Sequence, residues 1–116
     1  MEYLLLIYAN ESDDPRPGTP EGDAFMNAYL AYTEEVQQKK LTLGSNALQP
    51  VSTATTVRVR DGKTQTTDGP FVETKEQLGG YYLLNCKDLD EAIEYAAKIP
   101  SAKHGSIEIR PVLKFD

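Results

Sequence analysis

Between two strand-like runs, residues 66–82 read Thr-Thr-Asp-Gly-Pro-Phe-Val-Glu-Thr-Lys-Glu-Gln-Leu-Gly-Gly-Tyr-Tyr. Asp68-Gly69-Pro70 is a strong break, because glycine reaches backbone angles closed to other residues and proline fixes its own φ and donates no hydrogen bond. A chain reversal is therefore expected here, near the middle of the chain. Gly79-Gly80 predicts a bulge or a close backbone approach at the start of the next strand.

On the amino-terminal side, Tyr3 to Ala9 is a continuous apolar run, expected as a central strand covered on both faces or lying at a subunit interface. Asn10 to Pro20 carries Asp13, Asp14, Pro15, Pro17, Gly18 and Pro20 and reads as a surface loop. Thr19-Pro20-Glu21 then supplies a capping oxygen, a preset φ and an acid at the positive end of a helix dipole. The helix is expected to run to about Leu41 with Gly44 as its stop, burying Phe25, Tyr29, Tyr32 and Val36 along one stripe.

Ser45 to Gln49 is a candidate short strand. Thr53 to Arg60 and Lys63 to Thr67 form a hairpin about Asp61-Gly62. Its register sets Arg58, Arg60 and Lys63 on a basic face and Val57, Val59, Thr64 and Thr66 on a packing face.

Beyond the reversal, Gly80 to Cys86 is a second strand expected to be buried on both sides. Asp88 and Glu91 make a capping box, with Leu89, Ala92, Ile93, Ala96 and Ala97 as the apolar face of a helix that Pro100 ends. Ser106 to Leu113 alternates, and its Pro111 marks an edge or strand end. The order β, α, short β, hairpin, β, α, β in 116 residues is that of one α+β domain, a ferredoxin-like two-layer sandwich with an extra β-hairpin. Two helices cover one face of such a sheet. The other is expected to meet a second copy, giving a homodimer.

A net charge of −6 and a pI near 4.7 argue against nucleic acid as partner. The lone Cys86 fits a reducing compartment, and the acidic start with its short apolar run fits neither a signal peptide nor a membrane span, so the expected location is cytoplasmic. His104 has no Cys, Asp or Glu at ligand spacing, and no phosphate loop, zinc pattern or serine-nucleophile motif occurs, so neither a metal nor a cofactor is expected. Cys86 reads as a small core hydrophobe.

The pieces Tyr3–Tyr8, Ala47-Leu48-Gln49-Pro50, Thr55-Thr56-Val57-Arg58, Thr67–Gly80, Leu89-Asp90-Glu91-Ala92, Ile99-Pro100 and Glu108–Val112 together resemble the YCII-related family, in its DGPF-domain type. The resemblance covers nearly the whole chain. It implies a dimeric α/β-barrel, two ferredoxin-like subunits pressing their sheets together. The resemblance also implies, for some related YCII proteins, an enzyme with a His-Asp pair in a cleft, one branch removing chloride from a hydroxylated aromatic, and for DGPF relatives a frequent association with extracytoplasmic-function sigma factors. Asp68 matches the family's Asp, whereas no histidine stands near the first strand or first helix.

Two functions follow. The first is a cleft beside the Asp-Gly-Pro-Phe loop for a small polar or aromatic ligand, serving a cofactor-free lyase, isomerase or hydrolase. Asp68 is the candidate catalytic base or anchor, and Gly69, Pro70, Phe71, Glu73, Lys75, Tyr8 and Tyr82 are candidate ligand-binding residues. Asp68 can equally serve as an Asx side chain folded onto its own turn, the charges as exposed pairs, and the aromatics as core or interface. The second is a non-catalytic regulatory module with a protein partner.

Overall fold

A computed structural model describes residues 1–115. Its first element, β1 (Glu2–Ala9), alternates between buried and half-buried positions along its whole length. Tyr3, Leu5, Ile7 and Ala9 point into the core, while Leu4, Leu6 and Tyr8 point to the opposite side of the sheet. Thr19 caps α1 (Pro20–Gln38) by accepting from the Gly22 N–H at 3.0 Å, and the stripe runs as expected, with Tyr32 and Val36 buried and Phe25 and Tyr29 half-buried above them.

The end of α1 departs from expectation. Lys39 is the cap and Lys40 takes φ 58°, so that the Leu41 N–H reaches back to the Val36 carbonyl at 2.9 Å. Leu41 packs against the core. This closure ends the helix before Gly44, which lies instead within β2 (Thr42–Ala47), beside a register shift between Thr42 and Gly44.

The hairpin β3 (Thr55–Arg60) and β4 (Lys63–Asp68) has the expected register, with Arg60 opposite Lys63 and Arg58 opposite Gln65. Asp61 and Gly62 turn it with φ of 51° and 73°, both positive as a two-residue hairpin turn requires. Its valine face does not pack within the chain. Val57 and Val59 are each 60% exposed.

Two more elements complete the layers, β5 (Gln77–Asn85) with α2 (Leu89–Ala97), before β6 (Ser106–Pro111) closes the sheet. The four-stranded sheet has the order β2-β5-β1-β6, antiparallel throughout, which is the ferredoxin-like arrangement, and β3-β4 stands as a separate two-stranded ribbon. β1 is central and β6 an edge, as Pro111 signals. Gly79 is skipped in the register between Ile7 and Tyr8, and a Cβ on Gly80 would sit 2.7 Å from the Asn46 carbonyl oxygen, so the glycine pair supplies both the bulge and the close approach.

Both helices lie on the face carrying Leu5, Tyr82, Leu84 and Cys86. Asp88 accepts from the Glu91 N–H at 2.9 Å, while Glu91 reaches back to the N–H of Lys87, one residue beyond the usual box partner. α2 buries Ala92, Tyr95 and Ala96, and leaves Leu89 and Ile93 about half exposed, so its inward face is rotated from the one its aliphatic residues suggest. Tyr95 decides that rotation: its carbonyl accepts from the Tyr32 hydroxyl at 3.0 Å and its ring lies under Lys39 and Lys98. No helix among the described residues is long and apolar enough to cross a membrane.

Candidate functional site

Where β1 ends, Asn10 caps a short 3-10 turn (Glu11–Asp13) by accepting from the Ser12 N–H at 3.0 Å. The turn aims Glu11 across the end of the sheet. The Glu11 N–H donates to Gln77 Oε1 at 3.1 Å, and Glu11 Oε2 accepts from the Val51 N–H at 2.9 Å. Gln77 in turn donates through Nε2 to the Thr74 carbonyl at 2.6 Å. One carboxylate and one amide thus tie together the end of β1, the β2–β3 connection and the loop before β5.

The reversal at Asp-Gly-Pro is rooted on the hairpin. Gly69 donates its N–H to the Ala54 carbonyl at 2.7 Å, and Thr56 Oγ1 donates to the Gly69 carbonyl at 2.8 Å. Phe71, Val72, Glu73 and Thr74 then run along a cleft of about 940 Å³, whose other wall is Leu48 to Thr56 and whose floor includes Tyr8, Glu11 and Leu78. That volume suits a small organic molecule. Its polar groups are carboxylates (Glu11, Glu73, Glu76), hydroxyls and amides, and its lining contains no Lys, Arg or His.

Four of the expected residues, Tyr8, Pro70, Phe71 and Glu73, meet at this cleft. Asp68, Gly69, Lys75 and Tyr82 do not line it. Asp68 closes β4 opposite Thr55, with an exposed side chain that makes no hydrogen bond to any described residue, so it is neither folded onto its own turn nor inside the cleft. Lys75 is exposed. Tyr82 lies on the helix side of the sheet, 6% exposed, its hydroxyl 2.7 Å from Thr33 Oγ1 and its ring edge-on to Tyr32. Burial pushes its phenol pKa up, partly offset by that hydrogen bond. Its neighbour Tyr81 faces the open side and accepts from Asn46 Nδ2 at 2.8 Å. In a strand a shift of one position changes the face.

Sequence reading missed Glu11, which the loop composition concealed although it lies only two residues past the end of β1. It also missed a pairing of His104 with Asp14 at 3.0 Å, because those residues are 90 positions apart. His104 rests 5.8 Å from the Phe25 ring on the helix side, at the edge of a second, smaller depression lined also by Lys98 and Lys103. Among the described residues no group of His, Cys, Asp and Glu is arranged to hold a metal ion. Cys86 is 1% exposed, and burial pushes its thiol pKa up, as befits a packed rather than a reactive cysteine.

The family model of the YCII-related domain matches residues 1–116. The chain belongs to the YCII-related family. This YCII-related chain is 38% identical over 118 residues to an uncharacterised protein of Rhizobium meliloti strain 1021, covering 97% of the one and 92% of the other. Its fold is similar to that of 5-chloro-2-hydroxyhydroquinone dehydrochlorinase from Burkholderia phenoliruptrix AC1100, solved in complex with 2,5-dihydroxybenzoquinone. The TM-score is 0.55 at 15% identity, over 97% of this chain and 94% of that one. At that identity the likeness concerns the fold.

Proposed function

We propose that this YCII-related protein, of the DGPF type that its Asp68-Gly69-Pro70-Phe71 run supports, binds a small uncharged or cationic molecule with polar groups on an apolar or aromatic body. The observation that carries the reading is the composition of the cleft: three carboxylates and Tyr8 beside Leu48, Phe71, Val72 and Leu78, with no cationic side chain in the lining. Carboxylates repel an anionic ligand and accept from hydroxyl or ammonium donors, and the apolar walls take up the remainder.

The chemistry this favours is proton abstraction in a cofactor-free lyase, isomerase or hydrolase. Glu11 is the base that the geometry supports best, since Oε2 is held by the Val51 N–H while Oε1 makes no hydrogen bond to a described residue. Asp68 is the second candidate, reached from the rim. The dehydrochlorinase neighbour, whose name states a lyase-like reaction and whose complex holds a dihydroxyquinone, supports a lyase acting on a hydroxylated ring.

Thermal-shift screening with phenols, amines and small carboxylates against wild type, Glu11→Gln and Asp68→Asn tests this, because a ligand that binds only the native state raises apparent stability. Shifts with phenols or amines that are lost in Glu11→Gln support the reading, and shifts lost only in Asp68→Asn transfer the role to the rim. Silence across the panel, or a preference for carboxylates, contradicts it. The half-buried side chains of Leu4, Leu6, Tyr81 and Leu83 on the open side of the sheet support a homodimer of the α/β-barrel kind. A regulatory reading, with a sigma-factor-linked protein as partner, draws support from Met26, Leu30, Leu89 and Ile93, exposed on the two helices. Recovery of a partner that Leu30→Glu no longer binds would favour it. The buried, unpaired Cys86 fits a cytoplasmic setting.

A further inference from the structure

The β3–β4 ribbon is poorly supported by its own chain. Its strands pack chiefly on each other, and all but one of their residues, Thr56, are exposed. A two-stranded hairpin alone in water is marginally stable, and one with Val57 and Val59 both 60% exposed on the same side lacks its packing partner. The whole molecule carries the same signature. Its radius of gyration is 16.2 Å, against about 13 Å for a compact domain of similar length. Its accessible surface is 8352 Å², against about 6,300 Å² expected for a monomer of 12.9 kDa. The excess, roughly 2,000 Å² per chain, is on the scale that an obligate homodimer buries.

Charge identifies the occupant. From Thr55 to Asp68 the ribbon carries Arg58, Arg60 and Lys63 against Asp61 and Asp68, a small positive excess, whereas the chain as a whole has a charge of −6. A basic ribbon is attracted to the acidic body of another copy, while two bodies repel. We propose that β3–β4 is an intersubunit arm, which lays its valine face on a second copy of this chain, while its cations, on the opposite face of the ribbon, draw it toward that copy's acidic body.

The arm bears on the cleft. Thr55 and Thr56, at the root of β3, line the cleft, and β4 leads through Asp68 and Gly69 straight into Pro70 and Phe71 on its wall. Phe71 is 73% exposed although it borders the cleft, the condition of a wall not yet braced. Docking the arm on the second copy fixes both roots and completes the wall. This extends the homodimer reading above, but is distinct from sheet-to-sheet contact: a dimer held by the sheets alone leaves the arm free.

The test places a photoreactive amino acid at Val59 of the full chain and, separately, measures self-association of Val57→Glu/Val59→Glu by analytical ultracentrifugation, with circular dichroism to verify folding. The expected results are cross-links from position 59 to the body of a second copy, and a folded double variant whose self-association is weakened by at least about tenfold from loss of two buried valines. A wild-type protein that sediments as a monomer overturns both the arm and the homodimer reading. A dimer whose position 59 cross-links only within its own chain, or whose mass is unmoved in the double variant, overturns the arm and leaves the sheet-paired dimer standing.

Discussion

Gly80 and the tyrosines beside it show how much single positions decide. A Cβ at Gly80 would meet the Asn46 carbonyl oxygen at 2.7 Å, backbone that cannot swing aside, so Gly80→Ala must separate β2 from β5. We expect a loss of about 1–3 kcal/mol in denaturant unfolding, the usual cost of forcing volume into a packed site. No change would mean that β2 is held loosely there. Next to it, Tyr82 was the tyrosine chosen as a candidate site residue from sequence, whereas the register assigns Tyr82 to the core and its neighbour Tyr81 to the open side. Composition gives the strand, but the face depends on where the Gly79 bulge falls, which alternation alone does not fix. Glu11 was hidden for a related reason: an acid in a Pro-, Asp- and Gly-rich loop looks solvated until Val51 and Gln77 are brought to it across the fold.

Among the elements, those with local signals were legible. Thr19-Pro20, Asp88 with Glu91, and Asp61-Gly62 each carry the hydrogen-bond donor, acceptor or φ preference that creates the cap or turn, and each is where the sequence puts it. Asp88→Ala removes an acceptor from the start of a nine-residue helix, and should cost about 1 kcal/mol of stability by chemical denaturation. An unchanged midpoint would show that Tyr95 and Ala96 packing holds α2 without its cap. Less legible were choices settled by packing. α1 stops at Lys39 because Leu41 gains a core position when Lys40 takes a left-handed turn, a reward invisible in the propensities of lysine and glycine. α2 turns Tyr95 inward and leaves Leu89 and Ile93 at the surface for the same reason.

At the scale of the whole molecule, the ferredoxin-like order was readable because the rules of chain connection leave few arrangements in which two helices cover one face of an antiparallel sheet. The position of the hairpin was not, since its alternating valines predict a packing face without saying which chain supplies the partner. The cleft arises from long-range geometry as well: the end of β1, the Leu48–Thr56 connection and the loop 70–78 are far apart in sequence and meet only when the sheet forms. The central claim is that this cleft takes a small uncharged or cationic molecule. Backbone-amide NMR of the wild-type protein, titrated with catechol and separately with benzoate as its anionic counterpart, tests it most directly. Saturable shifts with catechol confined to Tyr8, Glu11, Val51, Phe71 and Leu78 are the predicted result. Shifts centred elsewhere, or stronger binding of benzoate than of catechol at that same set of amides, would contradict it.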